Sequence, residues 1–132
     1  MPLSLEIVTP ERRVLTVACD EVRAPGVEGG FGLRLNHTPF MTALAPGRLT
    51  YVEAGQEHHL AVGGGFLQVA DNKVSVLADT CEPAGEIDVE RARASYREAQ
   101  DRVLRMTEAD PMYGEESARV ERAAARISVA GG

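Results

Sequence analysis

The apolar pattern of this chain changes period once, at Ile87-Asp88, and that change divides it into a β-patterned part and a helical part. Upstream, apolar residues alternate or run short, as in Leu3-Ser4-Leu5-Glu6-Ile7 and Lys73-Val74-Ser75-Val76-Leu77. Alternation sends successive side chains to opposite faces of a strand. Downstream, Val89, Ala92, Tyr96, Ala99, Val103 and Met106 follow steps of three and four, which line up one narrow stripe of a helix. Asp88 stands where an N-cap belongs. The run Asp110-Pro111-Met112-Tyr113-Gly114 interrupts the pattern, since proline lacks a backbone donor and glycine disfavours helix. It resumes through Tyr113, Ser117, Val120, Ala124 and Ile127, so two antiparallel helices can face each other along their stripes.

Turn signals recur through the first part at Thr9-Pro10, Ala24-Pro25-Gly26, Pro39, Ala45-Pro46-Gly47, Ala54-Gly55, Gly63-Gly64-Gly65 and Asp71-Asn72. That spacing suits short hairpin-linked strands, and no helical period lies between them to build a Rossmann-like alternation. The expected fold is a mainly β N-terminal domain, a flattened β-sandwich or barrel of short antiparallel strands over residues 1–86. A C-terminal α-helical hairpin follows over 87–132, with helices at about 88–107 and 114–129. The first part is long enough to bury a core, whereas helices this short need a surface to pack on.

A hydrophobic share of 44% and a charged share of 26% over 132 residues describe an ordinary globular chain. No apolar run reaches the roughly 20 residues needed to cross a bilayer, and the N-terminus lacks signal-peptide regions; a soluble, cytoplasmic chain is expected. The net charge of −6 argues against nucleic acid. Residues 1–86 hold six basic and eleven acidic side chains, while 87–132 hold eight, all arginine, and nine. Arg119, Arg122 and Arg126 share about one quadrant of a helix. They read either as a solvated face paired with glutamates or as a basic stripe for a carboxylate-rich partner.

No catalytic constellation is visible. His37, His58 and His59 have no metal-ligand spacing, and adjacent residues of a strand send His58 and His59 to opposite faces. The serines lack a nucleophile elbow. Gly63-Gly64-Gly65 is followed by the strand-like Phe66-Leu67-Gln68-Val69 rather than a helix start, so the glycines read as close packing or a bulge, not a phosphate cradle. Cys19 and Cys81 read as reduced thiols.

The ordered blocks Pro25-Gly26-Val27-Glu28-Gly29-Gly30-Phe31-Gly32-Leu33, His37-Thr38-Pro39 and Ala45-Pro46-Gly47 resemble the signature loop of the epsilon subunit of bacterial F-type ATP synthases. Gly64-Gly65-Phe66-Leu67-Gln68-Val69, Val74-Ser75-Val76-Leu77-Ala78-Asp79 and Ile87-Asp88-x-x-Arg91-Ala92 are similar to that family's later strands and first helix. The resemblance implies a non-catalytic central-stalk subunit of a proton-translocating synthase. Its sandwich would sit between the gamma subunit and the c-ring, coupling rotation to ATP synthesis. Its hairpin would lie folded or extend toward the alpha and beta subunits, restraining ATP hydrolysis. The implied location is peripheral, on the cytoplasmic side of the bacterial inner cell membrane, with membrane contact only through the complex.

The resemblance also implies sites. The rotor-facing loop would present Glu28, Arg34, Asn36 and His37 to the c-ring, though Arg34-Leu35-Asn36-His37-Thr38-Pro39 replaces the family's common Leu-Pro-Gly-His-x-Pro, and the missing proline loosens the turn. Extended, Arg119, Arg122 and Arg126 would meet an acidic beta-subunit surface. No cofactor is required, but some relatives bind regulatory ATP, for which Asp88, Arg91, Ala92, Arg122 and Arg126 are the candidates. Glu98 stands where such relatives place a further arginine. The alternative is a non-catalytic ligand-binding β-sandwich with a helical adaptor, which would show a concave apolar pocket with convergent polar groups.

Overall fold

The computed structural model describes residues 2–131. Its strands are β1 (Leu3–Val8), β2 (Arg13–Cys19), β3 (Glu21–Gly26), β4 (Gly29–Leu33), β5 (Phe40–Glu53), β6 (Gln56–Ala70), β7 (Lys73–Ala78) and β8 (Cys81–Pro83). A turn of 3₁₀ helix at Ala84–Glu86 leads into α1 (Val89–Leu104) and α2 (Tyr113–Ala130). The fold is the expected sandwich followed by a helical hairpin, but not of short antiparallel strands throughout: β5 and β6 run through the Ala45-Pro46-Gly47 and Gly63-Gly64-Gly65 turn signals. Its strands run in the order β2-β1-β7-β6-β5-β3-β4, with β8 also on β6. The β1–β7 pair is parallel and the other pairs are antiparallel.

Two long strands make the sandwich. β5 and β6 stay in register from Phe40↔Val69 to Glu53↔Gln56, but the inward-facing parity switches between Leu44 and Leu49 and between Val62 and Leu67, all buried. The strands turn over at Gly64 and Gly65, where φ is +104° and +130°, a region open to glycine at no steric cost. One half of the pair joins β1, β2 and β7; the other joins β3, β4 and β8. Leu3, Leu5, Ile7, Leu49, Leu60, Leu67, Val74 and Val76 fill the space between, each contributing about 1.5–3 kcal/mol on burial. The triple glycine proves to be close packing: a Cβ on Gly63 would lie 2.0 Å from Thr80 Oγ1, and one on Gly65 2.1 Å from the Leu77 carbonyl oxygen.

Asp88 does cap α1, its Oδ1 accepting from the Arg91 N–H at 3.1 Å. Ala92 and Ala99, members of the expected stripe, are fully buried. α1 stops at Leu104, short of 107, because the N–H groups of Arg105 and Met106 turn back to the carbonyls of Arg102 and Val103. α2 departs from its expected stripe. Its buried residues are Glu116, Ala123, Ala125 and Val129, while Ala124 is exposed. The reason is layering: α2 lies between α1 and the β5–β6 face, so it buries two sides rather than one seam. Sequence spacing showed a helix with one partner, and the fold gives it two.

Candidate functional site

Two arginines tie the hairpin to the sandwich. Arg126 of α2 reaches Glu82 of β8: its Nε lies 2.6 Å from Oε1 without hydrogen-bond alignment, and its Nη2 donates to Oε2 at 3.4 Å. Arg48 of β5 donates through Nη2 to the Ser128 carbonyl at 2.8 Å and to its Oγ at 2.9 Å. Arg122 passes over Gly63, where a Cβ would lie 3.0 Å from its Cδ, so the glycine makes room for the guanidinium stem. Between the helices, the buried Glu116 carboxylate lies 3.6 Å from Arg102 Nη1 of α1 and 3.5 Å from Arg119 Nη1. The apolar share of α2's buried surface comes from Ala123, Ala125 and Val129, small side chains that bury little area each. Charged and hydrogen-bonded ties therefore carry much of the hairpin's placement.

Of the arginine stripe, Arg126 and Arg119 thus face carboxylates of their own chain. Together with Arg122, Ser95, Thr80 and Glu82 they line a cleft of about 190 Å³. That cleft is small for a nucleotide. Ligand pockets run to about 300–1,000 Å³. Asp88 is occupied as a cap, Ala92 is buried, and Arg91 is exposed and absent from the lining. Arg122 and Arg126 do converge, and Glu82 pairs with one of them and sets a carboxylate in the same cleft.

The rotor-loop candidates divide. Glu28 is exposed on the turn joining β3 to β4, while Arg34, Asn36 and His37 follow the far end of β4, about 16 Å away at roughly 3.3 Å per residue. Arg34 Nε donates to Glu21 Oε1 at 2.9 Å, and Arg23 Nε donates to Glu21 Oε2. The Arg23 hydrogen bond, joined by that from Arg34, holds the Glu21 carboxyl below the usual carboxylate range. Asn36 adopts φ +64° and its N–H donates to Asn72 Oδ1 at 2.7 Å, so a left-handed asparagine fixes the turn that lacks the family's proline. The His37 ring packs edge-on against Phe40, 5.9 Å between centroids.

Sequence reasoning missed an apolar ladder on the layer away from α2. Strand register places Ala43, Phe66, Leu77 and Val8 side by side across four strands. Phe66 is 58% exposed and Leu77 62%, with Met41 beside them at 68%. The signal was present in the alternation, where Phe66 and Leu77 hold outward positions that a solvated sheet fills with polar residues. Contiguous exposed apolar surface of this kind marks an interaction site.

Residues 2–84 match the family described as ATP synthase, Delta/Epsilon chain, beta-sandwich domain, and residues 86–131 match its long alpha-helix domain. The ATP synthase epsilon chain of Anaeromyxobacter sp. (strain Fw109-5) is 72% identical over 131 residues, 99% of either chain. That of Myxococcus xanthus is 48% identical over 128 residues, 97% of this chain and 94% of its own. The fold is shared with a chain in the Euglena gracilis mitochondrial ATP synthase structure of OSCP, F1 and c-ring, with a TM-score of 0.82 at 21% identity, covering 99% of this chain and 82% of that one.

Proposed function

This chain belongs to the ATP synthase delta/epsilon family, as an epsilon-type, non-catalytic subunit of the central stalk, and from that premise we propose that it couples c-ring rotation to ATP synthesis through gamma and restrains ATP hydrolysis through its hairpin. The observation that carries the reading is the joint match of sandwich and hairpin along the chain, in one order, with relatives of 72% identity. The apolar ladder of Phe66, Leu77 and Met41 supports a permanent partner on that layer, and we assign gamma to it. Glu28, Arg34, Asn36 and His37 face the c-ring, Glu28 from one end of β4 and the other three from the opposite end.

The hairpin supplies the restraint because its two placements lie close in energy. Alanine-rich packing and a few polar ties are a weak hold, so a partner needs only a few kcal/mol of differential affinity to shift the population. Extended, Arg119, Arg122 and Arg126 exchange Glu116 and Glu82 for carboxylates of the beta subunit, with alpha alongside. The synthase is taken to be proton-translocating. No helix among the described residues is long and apolar enough to cross a membrane; attachment to the cytoplasmic side of the bacterial inner membrane is peripheral, through the complex.

Two measurements test this. Tagged chain purified from membranes should retain gamma, alpha, beta and c subunits after a detergent wash; recovery of the chain alone removes the stalk assignment. In the assembled complex, a Glu82→Cys/Arg126→Cys pair bridged by a short bis-maleimide should hold the hairpin folded and raise ATP hydrolysis. Unchanged hydrolysis rules out the restraining role.

A further inference from the structure

An open groove of about 880 Å³ continues the hairpin-bearing face of the sandwich beyond the end of α2. Strand register explains its shape. Gly32, Arg23, Thr50 and His59 form one outer row across β4, β3, β5 and β6, and Gly30 and Gly32 leave the β4 side without side chains, making a trench. Pro25, Phe31 and Leu35 give part of the lining an apolar surface. Thr50 is buried, and its Oγ1 lies 2.8 Å from His59 Nδ1, which fixes that ring in the wall.

Charge sets this groove apart from the rest of the domain. Residues 1–86 hold six basic and eleven acidic side chains, and three of the six (Arg23, Arg34 and Arg48) line the groove against two of the eleven, Glu21 and Glu57. The remainder of the domain keeps three basic and nine acidic side chains. A chain of net charge −6 therefore turns a net positive concave face outward. Arg23 is held by Glu21 and by Glu57, the latter at 2.8 Å, and Arg34 by Glu21. Arg48 differs: among the described residues its hydrogen bonds go only to Ser128, through Nη2, and no carboxylate pairs with it. A guanidinium has five N–H donors, and within the described chain only Nη2 of Arg48 is engaged.

We propose that in the chain free of the c-ring, where the Arg34 and His37 end of the groove is open, this groove binds an extended acidic segment of a partner protein, with a carboxylate on Arg48 and apolar side chains over Pro25 and Phe31. Three arginines against two glutamates leave one net positive charge, which matches a single carboxylate better than a phosphate dianion. The open, elongated form suits a peptide, and the apolar wall gives its side chains a surface. Because the same guanidinium holds the last turn of α2, a bound carboxylate orients Arg48 on Ser128, and occupancy of the groove steadies the hairpin.

The test is a titration of the full-length ¹⁵N-labelled chain with a synthetic peptide alternating Glu and Leu, read by amide shifts. Shifts should concentrate in residues 21–37 and 48–59 and in the last turn of α2. Arg48→Gln should weaken binding by about tenfold, a charge-assisted hydrogen-bond effect. Arg34→Gln, which removes a largely exposed side chain, gives a smaller loss and serves as the second variant should Arg48→Gln disturb folding. A peptide with Gln in place of Glu should not bind. Shifts scattered over the surface, no saturation at millimolar peptide, or equal competition by inorganic phosphate would each overturn the proposal.

Discussion

Arg48 in β5 and Ser128 in the last turn of α2 are joined twice, at 2.8 Å to the carbonyl and 2.9 Å to the hydroxyl. A cation on a C-terminal carbonyl satisfies an otherwise unpaired acceptor and complements the helix dipole. Arg48→Ala removes both bonds and the cap. Amide exchange in residues 126–130 is expected to rise about five- to tenfold, from a loss of roughly 1 kcal/mol. Ser128→Ala keeps the carbonyl bond and should show less than half that effect.

Glu116 is a buried carboxylate between Arg102 and Arg119. Helix faces that bury alanine, as α1 does at Ala92 and Ala99 and α2 at Ala123, allow several registers, and one buried charge pair selects among them. Glu116→Gln deprives both arginines of their counter-charge; since both are partly solvated, the cost should be only about 1 kcal/mol. Glu116→Leu, which fills the same space without desolvating a charge, is expected to unfold at or above the wild-type temperature but with broadened α1 amide resonances. A sharp spectrum for the Leu variant would show that packing alone sets the register.

Calorimetric titration of the free chain with ATP should give no saturating heat below millimolar concentration. Arg126 is paired with Glu82, and Arg91 lies away from the 190 Å³ cleft. Glu82→Gln frees the guanidinium and removes a phosphate-repelling charge, so any measurable affinity should appear in that variant first. Micromolar binding by the wild type would require a rearrangement of both helices.

The break at Ile87-Asp88 made the two-part fold legible because period is a local property, and α1's stripe through Ala92 and Ala99 was legible for the same reason. The α2 stripe was not: spacing records how many faces a helix hides only if its neighbours are known, and Glu116 and Ala125 are buried by a layer that the local pattern does not encode. The arginine stripe was visible, but Glu82, 44 residues from Arg126, is a partner that only the fold supplies. Arg48 drew no notice in the sequence, since an isolated arginine in a strand has no pattern. The Phe66 and Leu77 ladder depends on register between β6 and β7, which alternation alone leaves free.

Gly65 is the most constrained glycine of the sandwich, with φ +130° and the Leu77 carbonyl oxygen 2.1 Å from where a Cβ would sit. Gly65→Ala forces β6 and β7 apart where both cross the core, and a loss of about 3 kcal/mol or more is expected, as for overpacking combined with backbone strain. Gly55 has φ +80° and open space around it, so Gly55→Ala should cost only about 1 kcal/mol. Urea midpoints of the two variants give the comparison.

Burial pushes the Cys81 thiol up from 9.0 to about 11, the nearby Arg12 charge offsetting part of the effect. Cys19 moves in the same direction, through burial and then the charge of Asp20. In the unfolded chain these thiols lose their protons at lower pH than in the folded one, so above pH 9 the unfolded state binds fewer protons and stability falls as pH rises. For Cys81 the fall runs from about pH 9 to about pH 11 and reaches roughly 2–3 kcal/mol. The contribution is isolated by comparison: Cys81→Ala should lose less stability than wild type between pH 8 and pH 10.5 in urea unfolding, whatever its starting value. At pH 8 the native thiol is almost wholly protonated, and maleimide should label Cys81 only at the rate of unfolding. Labelling faster than unfolding would mean that β8 opens locally, taking Glu82 and the Arg126 contact with it.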